Sequence, residues 1–149
     1  MRALLIAVSI LSLMGCIPAP HRHYFAPKIS GSVNADGIAV AKAEVRLSAH
    51  GTHEVVHTLT ETQGHFVIGP LTEFQLTRGV IGDPGYFFVL RIKADGKEYL
   101  GYDQGIIGYS PEAVDLTCDL ARPIKVGEQI KYCAHNNKLQ WDAPKTALP

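Results

Sequence analysis

The sequence has no surplus of either charge: 14 Lys and Arg balance 14 Asp and Glu over 149 residues, for a formal net charge of zero. Phosphate binding needs a local excess of Lys and Arg, and no basic stripe is concentrated anywhere, which argues against nucleic acid as a main partner. It also lacks an apolar run of membrane-spanning length. Ala3–Met14, ALLIAVSILSLM, falls well short of the roughly 20 residues that a bilayer-crossing helix needs. Cysteine is scarce, with three in all and no Cys-x-x-Cys pair. The nucleophile elbow Gly-x-Ser-x-Gly is absent. The glycine-bearing stretch GVIGDPG follows no strand–helix pattern and lacks the Lys-Ser/Thr of a phosphate loop. Glu44, Glu54, Glu61, Glu73, Asp83, Asp103 and Asp115 fall at strand edges or turns, and no two of them are assigned to one cleft. No enzyme is expected from these residues.

What is present begins at the N-terminus. Arg2 gives a positive start, the Ala3–Met14 run has signal-peptide length, and Leu13-Met14-Gly15-Cys16 follows. This resembles the bacterial lipobox, in which Leu stands three places before the lipidated Cys and a small residue stands just before it. The resemblance implies cleavage before Cys16 and acylation of that residue. Each chain then buries its methylenes at about 0.8 kcal/mol per CH2, so two or three chains make an effectively permanent anchor. Ile17, rather than Asp, follows the Cys. In bacterial lipoproteins Asp at that place resembles an inner-membrane retention signal, so the resemblance implies the outer membrane, inner leaflet, facing the periplasm. In such an oxidising space the remaining pair, Cys118 and Cys133, is expected to form a disulfide.

Residues 1–15 therefore read as the signal peptide and 16–27 as a proline-bearing tether, IPAPHRHYFAP after the Cys. Residues 28–133 read as one domain of short strands separated by turns, and 134–149 as a polar tail. Period-two alternation marks KISGSV (28–33), AEVRLSAH (43–50) with Val45 and Leu47 facing in, and AVDLTCDL (113–120) through Val114, Leu116 and Cys118. The segments at 53–60, 65–71 and 97–103 and a short strand at 128–133 complete the set. YFFVLRIKA (86–94) is the strongest strand and should be central, closed by the Asp95-Gly96 hairpin signal. Ser110-Pro111 suits one turn of helix, and no longer segment has helical spacing. Such a chain is all-β, a Greek-key β-sandwich of about seven strands.

GSVNADGIAVAKAEVRL (31–47) and TETQGHF (60–66) resemble the carboxypeptidase regulatory-like domain, a transthyretin-like sandwich. The matching positions are Gly31, Val33, Gly37, Val40, Ala43, Val45 and Leu47, then Thr60, Gly64 and Phe66. Ala39, Lys42 and Glu61 depart from the pattern. The resemblance implies a fold, and a role as accessory to another protein, more than an activity.

Seven histidines remain to be placed. If 53–60 and 65–71 pair across the 61–64 turn, His57 and His65 share a face near His50 or His53, and such imidazoles can bind zinc or copper. His21 and His23 form a weaker set. The function expected is a membrane-anchored, non-catalytic interaction or structural module with a protein partner in the envelope. The alternative is a small-ligand or metal-binding protein that uses the outward histidines.

Overall fold

The structure is a computed structural model, and it describes residues 21–75, 85–108 and 110–136. The described residues contain thirteen strands and no helix: β1 His21–Ala26, β2 Lys28–Ala35, β3 Ile38–Ala39, β4 Glu44–Ala49, β5 Val55–Leu59, β6 His65–Ile68, β7 Leu71–Gln75, β8 Gly85–Ala94, β9 Lys97–Ile107, β10 Ala113–Asp119, β11 Ile124–Val126, β12 Gln129–Lys131 and β13 Cys133–His135. The fold is an all-β sandwich. One sheet runs β5-β4-β8-β9, entirely antiparallel. The other runs β13-β10-β2, with β6 and then β3 on the far side of β2. In this second sheet β2 and β10 are parallel, in register from Lys28↔Ala113 to Asn34↔Asp119.

The core lies between these sheets and follows from alternation. β8 buries Tyr86, Phe88, Leu90, Ile92 and Ala94 while its other residues face out, and it sits centrally between β4 and β9. β4 contributes Val45 and Leu47, β10 contributes Val114, Leu116 and Cys118, and β2 contributes Ile29 and Val33. Each fully buried Leu, Ile or Phe among them contributes about 1.5–3 kcal/mol relative to exposure.

Three departures from plain alternation shape the two ends of the sandwich. First, residues 21–27 are not a free tether. β1 pairs with β7 in an antiparallel ribbon, Phe25, Ala26 and Pro27 are buried, and Phe25 packs at Gly51. The prolines that flank this segment mask its alternation, which buries Phe25 and exposes Arg22 and Tyr24. Second, the predicted strand at 65–71 is broken in two. Gly69 adopts φ 76°, within the left-handed region, and Pro70 cannot donate to a ladder. Third, the C-terminal part crosses from one sheet to the other. β9 carries a bulge at Gly101, between the pairs Leu90↔Tyr102 and Arg91↔Leu100. There the Tyr132 amide donates to the Leu100 and Gly101 carbonyls, while β13 pairs with β10. A Cβ on Gly101 would lie 3.0 Å from Cys133 Sγ, so glycine permits the approach. The Cys118–Cys133 disulfide locks this strap, and Lys131 Nζ, little exposed, pairs with Asp103 Oδ1 at 2.5 Å.

Residues 110–114 do not form a helical turn. They bend at Glu112 and enter β10 at Ala113, because Val114 is claimed by the ladder with Ile29 and by the core. The expected strand at 128–133 is two short strands, β12 and β13, which pair with different partners, β11 and β10. β13 extends into what read as tail, and residues 137–149, Trp141 among them, lie outside the described residues, as do Cys16 and Asp83.

Candidate functional site

The motif residues 31–66 come together, and what they build is a structural knot. Thr60 is buried, 3% exposed. Its hydroxyl donates to the Val40 carbonyl at 2.6 Å and accepts from the Ala43 amide at 2.9 Å. The Thr60 amide donates to the Ala43 carbonyl, the Val40 amide to the Val33 carbonyl and the Val33 amide to the Gly64 carbonyl, each at 2.9 Å. Gly64 sits at φ 77° directly over the Val33 carbonyl, where any Cβ would collide. Gly31 lies under the Phe66 ring and against the Leu116 carbonyl, again leaving no room for a Cβ. These positions close the backbone hydrogen bonds of β2, β3, β4 and β6 around one buried hydroxyl. Their spacing in the sequence is explained by folding, with no reactive group among them.

The histidines are dispersed. β5 pairs with β4, so His57 stands opposite Arg46 in one sheet; β6 pairs with β2, so His65 stands opposite Ser32 in the other. The 61–64 turn therefore carries the chain between sheets and does not close a hairpin, which is why His57 and His65 do not share a ladder. His50 and His53 lie near the β4–β5 turn, and all four are exposed. His23 packs edge-on to Phe25. Among the described residues, no three His, Cys, Asp or Glu side chains are grouped so that they could hold a metal ion.

The carboxylates are engaged individually. Arg46 holds Glu44 at 2.8 Å and depresses its pKa, and Arg91 does the same to Glu98, also at 2.8 Å. Asp119 accepts from the Ala121 and Asp36 amides, which hold it below the ordinary carboxylate range. Burial raises the Tyr86 and Tyr102 hydroxyls. Each of these shifts moves the group away from neutral pH, so each keeps its ordinary charge state there and none is poised for proton transfer. Asp115 joins Ser30, Asn136 and Thr117 in a hydrogen-bonded cluster on the outer face of the β10 sheet.

Two surfaces stand out instead. β5 is an edge strand, paired on one side with β4, and it exposes Val55 and Leu59. An edge of this kind offers unpaired backbone groups to another strand. The second surface is the end of the sandwich where β8 begins and β9 finishes. There His50, Gly85, Tyr86, Phe87, Gly105 and Ile107 line a shallow, open recess, and the His50 amide donates to the Phe87 carbonyl. The sequence does not reveal this surface, because β1, which packs against β8 there, reads as tether.

No protein-family model matches the chain, and no curated protein matches it significantly.

Proposed function

We propose that this chain is a lipoprotein of the cell envelope, anchored through Cys16 and facing the periplasm, whose carboxypeptidase regulatory-like sandwich acts as a non-catalytic interaction module. The observation that carries this reading is the Cys118–Cys133 bond, which fastens the C-terminal strap to β10. Disulfides persist in oxidising compartments, and a Leu13-to-Cys16 lipobox directs a chain to one. The knot around Thr60 supports the same reading, because it accounts for the family-like positions by their part in the fold. The β5 edge is where a partner strand would add, through main-chain hydrogen bonds with Val55 and Leu59 alongside.

The test is made in intact envelopes. Palmitate incorporation is expected in the wild type and lost in Cys16→Ala. A photo-crosslinker placed at Leu59 is expected to capture one stoichiometric protein partner, and Val55→Lys is expected to abolish the capture. Protein recovered from the cytosol with Cys118 and Cys133 reduced would overturn the proposal. So would monomer that carries a stoichiometric metal and no partner.

A further inference from the structure

The conversion of residues 21–27 from tether to strand shortens the link between lipid and body. Only 21 − 16 = 5 residue steps separate Cys16 from the first residue of β1. Fully extended, they reach about 18 Å. A globular domain of this size has a radius of gyration of about 14 Å, so the link is comparable to the body's own radius. A domain held this closely would keep the part of it nearest the link within about 18 Å of the lipid.

That part is definable from the register. β1 feeds directly into the start of β2, and Phe25 packs at Gly51 in the β4–β5 turn. β4 ends opposite Phe88, and β8 begins opposite the last residue of β9, Ile107. One end of the sandwich thus collects the β1–β7 ribbon, the β4–β5 turn, the start of β8 and the finish of β9. The other end collects the Asp36-Gly37 and Asp95-Gly96 turns and the 61–64 turn.

The two ends differ in chemistry. Three aromatic side chains among the described residues are exposed: Tyr24 at 48%, Phe74 at 63% and Phe87 at 43%. All three lie at the end that bears β1, with Ile107 at 79% beside the Phe87 strand. In the β1–β7 ribbon Tyr24 stands opposite Thr72 and Arg22 opposite Phe74, which puts the two rings and a cation on its outward face. Amphipathic and aromatic rings with an interspersed cation suit the headgroup level of a bilayer. At the far end exposed Asp36 and Arg122 pair, with half-buried Asp119 beside them, and the exposed apolar side chain next to that turn is Ile38, which is not aromatic.

We infer that the β1 end is a membrane-seating surface: Tyr24, Phe74, Phe87 and Ile107 rest in the interfacial region of the phospholipid bilayer that holds the anchor, and the Asp36–Arg122 end points away. This rests on the reading of Cys16 as the attachment point, and the test separates the two. Residues 16–149 are prepared with the Cys118–Cys133 bond intact, and the Cys16 thiol is coupled to a maleimide headgroup on phosphatidylethanolamine–phosphatidylglycerol vesicles. The anchor is then in place whether or not the cell acylates Cys16; acylation itself is read separately by palmitate labelling. In a Trp141→Phe background, single tryptophans at Phe74→Trp, Phe87→Trp and Ile38→Trp are read against brominated lipids. Quenching is expected to be at least about threefold stronger at positions 74 and 87 than at 38, because interfacial rings sit at headgroup depth. Adding Tyr24→Asp and Ile107→Asp to the Phe87→Trp protein should reduce its quenching to the level at 38, with the far-ultraviolet circular dichroism unchanged. Equal quenching at all three positions, or none at 74 and 87 on coupled vesicles, overturns the inference.

Discussion

Replacing Thr60 with valine removes one oxygen and keeps the shape. In the wild type that oxygen takes the Ala43 amide at 2.9 Å and gives its proton to the Val40 carbonyl at 2.6 Å, in a site where Thr60 is 3% and Ala43 2% exposed. Valine leaves the Ala43 N–H buried without a partner, at a cost of about 1–3 kcal/mol, and forfeits the net gain of the Val40 bond, about 1 kcal/mol. Thr60→Val should therefore lose about 2–4 kcal/mol, a large share of the 5–15 kcal/mol typical of a whole domain. At roughly 3–6 °C per kcal/mol for a chain of this size, Tm falls by about 6 °C at the least. Thr60→Ser keeps both hydrogen bonds and deletes one methyl, so it should lose only about 1 kcal/mol. The assay is urea unfolding at neutral pH with the disulfide intact, followed by fluorescence and circular dichroism. If valine costs less than serine, the hydroxyl does not hold the knot, and the account of the motif as a folding device fails.

Cys118→Ala with Cys133→Ala opens a loop closed over a separation of 15 residues, and should cost about 3 kcal/mol in the chain-entropy account; thermal unfolding with and without reductant checks it, since the double variant should be insensitive to reductant. Gly64→Ala combines a positive φ with overlap on the Val33 carbonyl, and should cost about 2 kcal/mol or more, whereas Gly96→Ala, with a positive φ but open space around it, should cost about 1 kcal/mol in the same urea titration. Asp119 has a folded pKa below its unfolded value, so its contribution is fully present above the unfolded carboxylate range and is lost as pH falls through the folded value. The Tm difference between wild type and Asp119→Asn should therefore be constant from pH 7 to about 5 and shrink below about pH 4.

Legibility in the sequence followed the chemistry of each segment. Alternation located β2, β4, β8 and β10 because one face of each meets the core and the other meets solvent, so the period is written into the residue types. Asp95-Gly96 announced its hairpin because both residues take positive φ, 49° and 74°. The pairing of β5 was not legible. Two strands joined by a short turn usually form a hairpin, yet here β5 pairs with β4 and β6 with β2, with the backbone bonds of Thr60 and Gly64 at the crossing. That diversion separates His57 from His65, so the metal grouping depended on the one local choice that residue types do not record. β1 was hidden for a different reason: prolines at 18, 20 and 27 look like linker punctuation, yet Pro27 is buried between a strand and its continuation. The Cys118–Cys133 pair was readable from the cysteine count and the expected compartment, without knowledge of the strands that bring the sulfurs together.

The distribution of the fold's polar devices bears on the two surfaces. The Thr60 knot, the Gly64 turn and the Asp36–Asp119–Arg122 cluster all sit toward the end where β2 finishes and β10 finishes. Parallel pairing of β2 with β10 requires this, because their C-terminal ends then lie together and both need their last backbone groups satisfied: Asn34 takes the Leu120 amide, and Asp119 takes the amide of Asp36. The opposite end closes differently, through buried Phe25, Pro27 and Leu71, with the Tyr24, Phe74 and Phe87 rings turned outward. Substitutions of exposed rings there remove no hydrogen bond and no core contact of the kind found at the knot, and such surface changes alter stability by about 0.5 kcal/mol or less. One end of the sandwich is therefore constrained by folding, and the other is free to be set by what it touches. Under the proposed attachment at Cys16, that division would let a short lipid link impose an orientation without the membrane contributing to the fold.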